Sequence, residues 1–136
     1  MNSINIIDTL SLLNKDCSFI HILYLQIFRL TKSTRNKYKL SVNNIVVLNG
    51  AYVYHKYIGS SFSLSSLYKL LGYYNRNRLR YYLDNLCLLG YLIQSDIING
   101  NKFYKITLAG LQVIEYFNST YQQQLSKFLQ DHKIEL

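Results

Sequence analysis

The sequence predicts a mainly α-helical protein with one small β-hairpin, and three observations lead to this prediction. The chain has 136 residues, 49% of them apolar, which suffices for one domain with a hydrophobic core. It contains no proline, so long helices can continue without a break. Between Ser63 and Gly110 the residue pattern changes from helix to turn, longer helix, hairpin and helix again. This is the element order of a winged helix-turn-helix unit.

The first helix of this unit is predicted to follow Ser63, whose hydroxyl can accept a hydrogen bond from a free N–H of the first turn. Gly72 suits the left-handed residue that ends a helix. The apolar residues between them form one helical face and are Leu64, Leu67, Leu70 and Leu71.

A longer, arginine-rich helix is predicted over about residues 74–89, starting near Tyr74 or Asn75. Its apolar stripe consists of Leu79, Leu83 and Leu86, and Gly90 ends it. At about 100° per residue, the opposite face holds Tyr74, Asn77 and Tyr81, with Arg78 and Arg80 on its flanks. Asp84 is the one acid of this polar, aromatic and basic face.

A hairpin, or wing, is predicted over residues 92–107. Its two strands, 92–98 and 102–107, are rich in β-branched and aromatic residues and are separated by Asn99-Gly100-Asn101. The Asn-Gly pair is a strong hairpin signal because both residues tolerate positive φ. Thr107 can then cap a long final helix.

The segments around this unit also have helical periodicity. Residues 3–30 carry an apolar stripe from Ile4 to Phe28 and predict one or two helices, whose apolar surplus is covered either by the chain's own core or by a partner chain. Residues 31–40 are rich in Lys and Arg and predict a linker or loop, in contact with phosphates or simply solvated. Ser41 is expected to cap a helix that runs to Tyr57 or Ile58.

The final helix, predicted over residues 108–129, is long enough to extend past a small winged domain. Its apolar residues recur at intervals of three or four and are Leu111, Ile114, Phe117, Tyr121, Leu125 and Phe128. We expect it to pack against the first helix of the same chain or of a twin subunit.

Several of these motifs resemble those of the MarR-type (multiple antibiotic resistance) winged-helix regulators. The exit from the recognition helix reads Leu-Cys-Leu-Leu-Gly-Tyr-Leu at residues 86–92, and the start of the last helix reads Ile-Thr-Leu-Ala-Gly at residues 106–110. Upstream, residues 41–48 look like the family's Ser-capped helix with its Val-Leu pair. The resemblance spans about residues 41–117. The family's acidic-x-Arg wing tip is missing, and Lys102 and Lys105 are the only cations of this wing.

The resemblance implies a homodimeric transcriptional regulator that binds double-stranded DNA. Because the sequence has no apolar run long enough to cross a bilayer and no basic region before its longest one, we expect a cytoplasmic protein. The charge distribution agrees with DNA binding: residues 29–105 hold twelve Lys and Arg against two acids, whereas the remainder holds three bases and five acids. A basic surface that serves only solubility is the simpler alternative. The expected organisation is one domain, 1–136, with dimerisation helices at 1–30 and 108–136 around a DNA-binding core at 41–107.

The candidate site follows from how side chains recognise DNA. Residues 75–81 would enter the major groove, where Arg can pair with guanine and Asn with adenine, while serines and lysines nearby would hold phosphates. The candidate DNA-binding residues are Ser63, Ser65, Ser66, Lys69, Tyr74, Asn75, Arg76, Asn77, Arg78, Arg80, Tyr81, Lys102 and Lys105.

Two other functions use the same fold. A winged helix can be a protein-interaction or assembly module, in which case the basic face would give no sequence-specific affinity. A plasmid or phage replication or partition factor would share the DNA chemistry.

The sequence offers no material for a cofactor, a metal site or an enzyme active site. It lacks a phosphate-cradling Gly loop, a His-Glu-x-x-His motif and paired carboxylates in an apolar context. Cys17 and Cys87 lie in apolar helical patterns and predict small hydrophobic residues rather than a disulfide. The apolar run at 19–28 is too short to cross a bilayer. By resemblance, a small aromatic acid is a candidate ligand between the dimerisation helices and the winged core.

Overall fold

A computed structural model describes residues 32, 35–72 and 74–132. In chain order its elements are α1 (Val42–Tyr57), β1 (Phe62–Ser63), α2 (Leu64–Leu71), α3 (Arg76–Leu88), β2 (Leu92–Ile98), β3 (Asn101–Ile106) and α4 (Leu108–Asp131). The chain forms two compact units: Tyr38–Glu115, here called the winged unit, and a second one built from residues outside this range. Within the described residues, no helix combines the length and hydropathy needed to cross a membrane. The predictions for residues 1–30, including Cys17, fall outside the described residues.

Helix α1 begins where the sequence predicts. Ser41 has an extended backbone, and its hydroxyl accepts a hydrogen bond from the N–H of Asn44 at 3.1 Å. The helix ends at Tyr57, as expected. The prediction that residues 31–40 form a linker or loop is wrong in part, because residues 35–38 are helical and Leu40 is buried.

Helix α2 has both of its predicted ends. The Ser63 hydroxyl accepts from the N–H of Ser66 at 3.2 Å, and Gly72 adopts a φ of +64° at the other end. The predicted apolar face is only partly buried: Leu67 is fully covered, whereas Leu70 is 40% exposed.

Helix α3 starts later than predicted. The Asn75 side chain caps it by accepting from the N–H of Arg78 at 2.8 Å, so the first helical residue is Arg76. The predicted stripe of Leu79, Leu83 and Leu86 is fully buried.

The hairpin closes with a two-residue turn rather than the predicted three. Asn99 and Gly100 have φ values of +52° and +78°, as in the turns whose twist matches paired strands. Asn101 lies in β3 and pairs with Ile98. The pairing shifts by one residue between Gln94 and Asp96, which makes a β-bulge.

The hairpin belongs to a three-stranded antiparallel sheet of order β1-β3-β2. The third strand, Phe62–Ser63, pairs with Tyr104 and Phe103 of β3 and was not predicted. Its Phe62 ring is buried between the rings of Tyr104 and Tyr54, at centroid distances of 5.9 and 5.8 Å. This packing joins the hairpin to the N-terminus of α2 and to α1.

In the second unit, two residues of α4, Phe117 and Leu129, are completely buried. The Tyr121 ring lies 5.7 Å from that of Phe117, and burial raises the pKa of Tyr121 to about 12. The Lys37 ammonium lies 5.0 Å from the centre of the Tyr116 ring. The predicted helix at 108–129 is thus confirmed and extends to Asp131.

Candidate nucleic-acid interface

The polar face of α3 is open to solvent. Its first three residues, Arg76, Asn77 and Arg78, are exposed, and so are Arg80 and Tyr81. Leu79 in their midst is fully buried and anchors the helix to the core of the winged unit. The burial of one stripe therefore determines that these polar side chains point outward.

Tyr74 does not belong to this face, and here the prediction is wrong. It precedes the helix, its side chain is only 8% exposed, and its hydroxyl donates a hydrogen bond to Asn43 Oδ1 at 2.8 Å. The ring also meets the Tyr82 ring in an edge contact at 5.6 Å. Tyr74 therefore ties the turn between α2 and α3 to helix α1.

Arg76 is held in place by helix α2. Its Nη1 donates to the Ser65 hydroxyl at 3.2 Å, and its guanidinium carbon lies 5.1 Å from the centre of the Tyr68 ring. A guanidinium held at two points loses less side-chain entropy when it binds an anion. The first arginine of α3 is thus orientated before any ligand arrives.

The remaining candidate residues on and next to α2 differ in whether their polar groups are already hydrogen-bonded within the protein. The hydroxyls of Ser63 and Ser66 lie 3.0 Å apart, and that of Ser63 also caps the helix, so both are partly engaged. Lys69 is exposed on the last turn. On the hairpin, Lys102 and Lys105 are both exposed.

An open cleft of about 380 Å³ lies between α2, α3 and the hairpin turn and is here called the basic cleft. Among the described residues that line it are three cations, Arg76, Arg80 and Lys102, and no acid. The described residues that line it are Ser63, Leu64, Ser65, Arg76, Arg80, Gly100, Asn101, Lys102 and Tyr104. Gly100, Asn101 and Tyr104 were not predicted as part of the site, because only the pairing of the hairpin with β1 brings them to the helices.

The acid of α3 lies in a different place. Asp84 lines a shallow, mostly apolar groove together with Cys87, Leu88 and Ile93. Burial raises the pKa of the Cys87 thiol, and Asp84 raises it further, while Lys102 opposes both. Cys87 is a free thiol. Among the described residues, no cluster of His, Cys, Asp and Glu could hold a metal ion.

Comparison with known proteins gives a clear structural likeness. The reduced form of MarR from E. coli superposes with a TM-score of 0.66 at 17% identity, over 83% of this chain and 81% of that one. The chain has a MarR-type fold. No protein-family model matches it, and no curated protein matches it by sequence.

Two further structures share the MarR-type fold. A mutant of E. coli MarR complexed with operator DNA has a TM-score of 0.62 at 15% identity, covering 94% of this chain and 87% of that one. BpsR of Bordetella bronchiseptica, whose DNA binding is regulated by 6-hydroxynicotinic acid, has a TM-score of 0.59 at 16% identity, covering 84% and 79%. The predicted winged helix-turn-helix is thus confirmed.

Proposed function

We propose that the chain is a transcriptional regulator that binds double-stranded DNA through helix α3. The observation behind this proposal is the exposed start of α3, where four polar residues, Arg76, Asn77, Arg78 and Arg80, surround one buried leucine. A helix that is anchored on one side and carries Arg and Asn on the other suits the major groove.

Within this face, we assign the base contacts to Asn77, Arg78 and Tyr81. Arg pairs bidentately with guanine, Asn with adenine, and an exposed tyrosine can contact the thymine methyl group or a phosphate. Tyr81 is 62% exposed and its ring leans edge-on against Tyr82 at 5.5 Å, which limits its freedom. Arg80 faces the basic cleft and is assigned to the DNA backbone instead.

The phosphate contacts are assigned to residues around α3. Ser65, Ser66 and Lys69 lie on α2, while Lys102 and Lys105 lie on β3. Such contacts fix the register of a protein on DNA and carry no sequence information themselves. The excess of bases over acids between residues 29 and 105 provides the long-range attraction.

The structural neighbours agree with this proposal. A protein of the same fold binds operator DNA, and its fold covers nearly the whole of this chain. We further propose that the protein acts as a homodimer, because two recognition helices related by a two-fold axis would read the two halves of a near-palindromic site.

Selection of bound fragments from random double-stranded DNA tests the proposal. We expect enrichment of one motif by the wild-type chain and its loss in an Asn77→Ala/Arg78→Ala variant. The matched control is Glu115→Ala, an exposed residue of α4 in the same unit, which should enrich the same motif. A wild-type chain that enriches no sequence would exclude sequence-specific binding.

A protein-interaction module is the second candidate, and an exposed apolar groove favours it. The groove lies between α1 and α2, measures about 330 Å³, and is lined by Val46, Asn49, Gly50, Val53, Leu70 and Leu71. In the selection experiment, Val53→Asp should leave the enriched motif unchanged if DNA is the ligand of α3. A replication or partition factor would give the same DNA result, and the genomic position of the selected sites would separate it from a regulator.

A further inference from the structure

The basic cleft brings together groups that are far apart in the sequence. Ser65 comes from the start of α2, Arg76 and Arg80 from α3, and Lys102 from the start of β3. Tyr104, which is 4% exposed, forms part of the floor. The pairing of Ser63 with Phe103 fixes the distance between hairpin and helices.

The electrostatics of the cleft favour an anion. Three side chains that are cationic at neutral pH are among its described lining residues, and no carboxylate is. In such a concave site the cations repel each other until an anion neutralises them. One of them, Arg76, already has its orientation fixed by Ser65 and Tyr68.

The chemistry of the donors narrows the class of anion. Guanidinium groups donate two parallel hydrogen bonds to phosphate oxygens, and a lysine adds a point charge with three rotatable donors. The Ser65 hydroxyl supplies one further polar group at the same wall. Together they match the several oxygens and the charge of a phosphate better than those of a single carboxylate.

The size of the cleft suggests more than one source of that phosphate. Sites for small molecules in proteins start at about 300 Å³, and this cleft measures about 380 Å³. It is open on one side, as contact with a DNA backbone requires. It also has room for a small phosphorylated molecule with its non-phosphate part against Leu64 and Tyr104.

We propose that the basic cleft is a phosphate-binding site formed jointly by α2, α3 and the hairpin turn. The phosphate belongs to the DNA backbone or to a free phosphorylated small molecule, and the two compete for the same cations. This inference rests on the proposed DNA-binding function for the first source only. A free phosphate ester binds whether or not the protein binds DNA.

The first experiment measures binding of free phosphates to the full chain by calorimetry, with inorganic phosphate, adenosine 5′-monophosphate and adenosine. The monophosphate should bind and adenosine should not. Lys102→Ala and Arg80→Ala should each weaken binding about tenfold, the factor that one hydrogen bond to a charged group represents. The control is Lys56→Ala, which removes an exposed cation of α1 outside the cleft, and this variant should bind the monophosphate like the wild type.

The second experiment uses the selected DNA with one neutral methylphosphonate linkage, moved along the backbone. Wild-type affinity should fall at one linkage per half-site, and Lys102→Ala should lose nothing further there, because the same contact is already absent. Added monophosphate should raise the DNA dissociation constant of the wild type, and Lys102→Ala should need about ten times more monophosphate for the same relative rise.

The two experiments distinguish a DNA phosphate from a free phosphorylated molecule, and failure of the cleft proposal from failure of the proposed DNA-binding function. Binding of the monophosphate with loss in the cleft variants supports a free ligand, and a single sensitive linkage supports a backbone phosphate. If Lys102→Ala and Arg80→Ala match the wild type in both experiments, the proposal is overturned even if the protein binds DNA. If no DNA binds but the monophosphate does, only the proposed DNA-binding function fails.

Discussion

Gly110, in the first turn of α4, lies directly against the main-chain carbonyl oxygen of Tyr91. A β-carbon at this position would overlap that oxygen and would lie 2.7 Å from Ile106 Cγ1. The same carbonyl accepts a hydrogen bond from the N–H of Thr107 at 3.0 Å, and the Thr107 hydroxyl donates to the Gly90 carbonyl at 2.7 Å. The segment that follows α3 and the start of α4 are thus joined by main-chain contacts and by one side-chain hydrogen bond.

Gly110→Ala is therefore expected to lower the free energy of unfolding by about 1–3 kcal/mol, because the added methyl group must displace main-chain atoms. Urea denaturation, monitored by circular dichroism, measures this change in the free energy of unfolding. Ala109→Ser, an exposed change in the same turn, serves as the control and should stay within about 0.5 kcal/mol of the wild type. Equal midpoints for Gly110→Ala and the wild type would mean that the two segments separate easily.

Local signals explain what the sequence predicts correctly. The caps at Ser41, Ser63 and Thr107 depend on residues three positions apart, and the structure has all three. The buried stripe of α3 depends on helical periodicity alone. The Thr-x-x-Gly pattern at 107–110 predicts the start of α4, and its physical cause is the close approach of Gly110 to Tyr91.

Long-range pairing explains what could not be predicted from the sequence. Strand β1 is only two residues long and exists because Phe62 pairs with Tyr104, which is distant in the chain. A segment this short has no periodicity to detect. The sequence does not predict the basic cleft for the same reason, since the pairing of this sheet places Lys102 in the same cleft as Arg80.

Helical periodicity alone places Tyr74 on the polar face of α3, and this prediction is wrong because the helix begins only after Asn75. Asn75 caps α3, so the direction of the Tyr74 side chain follows from the preceding turn and not from the helix. Helical periodicity therefore predicts the direction of a side chain only for residues that follow the cap residue of a helix.

Tyr74→Phe tests the corrected role of this residue. Removal of the hydroxyl deletes the hydrogen bond to Asn43 and should lower the free energy of unfolding by about 0.5–1.5 kcal/mol. DNA affinity measured well below the unfolding transition should be unchanged, because the side chain is buried. Tyr81→Phe is the matched control: it removes an exposed hydroxyl from the same helix region and should not affect stability. A loss of DNA affinity in Tyr74→Phe with unchanged stability would restore Tyr74 to the interface.

Arg78→Ala should reduce affinity for the selected DNA site by about 1–3 kcal/mol and relax the preference at one base pair, as expected for a base contact. Lys105→Ala should weaken all sequences alike and reduce the slope of log affinity against log salt by about one. Fluorescence anisotropy with the selected site and a scrambled site, over a range of salt concentrations, separates the two effects. Equal losses on both sites in Arg78→Ala would assign this arginine to the backbone.

A small aromatic carboxylate is the candidate effector that the resemblance of the sequence to MarR-type regulators implies, and we expect it to bind the protein and to release DNA. A ligand present at about 100 times its dissociation constant stabilises the folded state by about 2.7 kcal/mol. A thermal-shift screen of aromatic carboxylates detects this, and a DNA release assay follows for each hit. Benzyl alcohol, which lacks the carboxylate, is the negative control. A screen with neither stabilisation nor release would count against this class of effector.

The apolar residues of α4 are weaker evidence for a homodimer than their sequence pattern suggests. Their number predicts a surface that one domain cannot cover, yet Ile114 and Phe117 are fully buried within a single chain. Phe128 and Tyr121 keep partial exposure. The apolar stripe from Ile4 to Phe28 lies outside the described residues, so the case for a homodimer rests on that stripe and on the geometry of DNA.

The spacing of major grooves on DNA sets the distance between two recognition helices in a dimer. If α3 reads the major groove as proposed, one copy would contact only a few base pairs, whereas two copies about 34 Å apart would reach successive major grooves on one side of the duplex. We therefore expect light scattering at micromolar concentration to give twice the chain mass of 16.0 kDa. The selected DNA motif should be a near-palindrome with half-sites one helical turn apart. A mass of 16.0 kDa together with binding to a single half-site would rule out the dimer and leave the DNA-binding role of α3 intact.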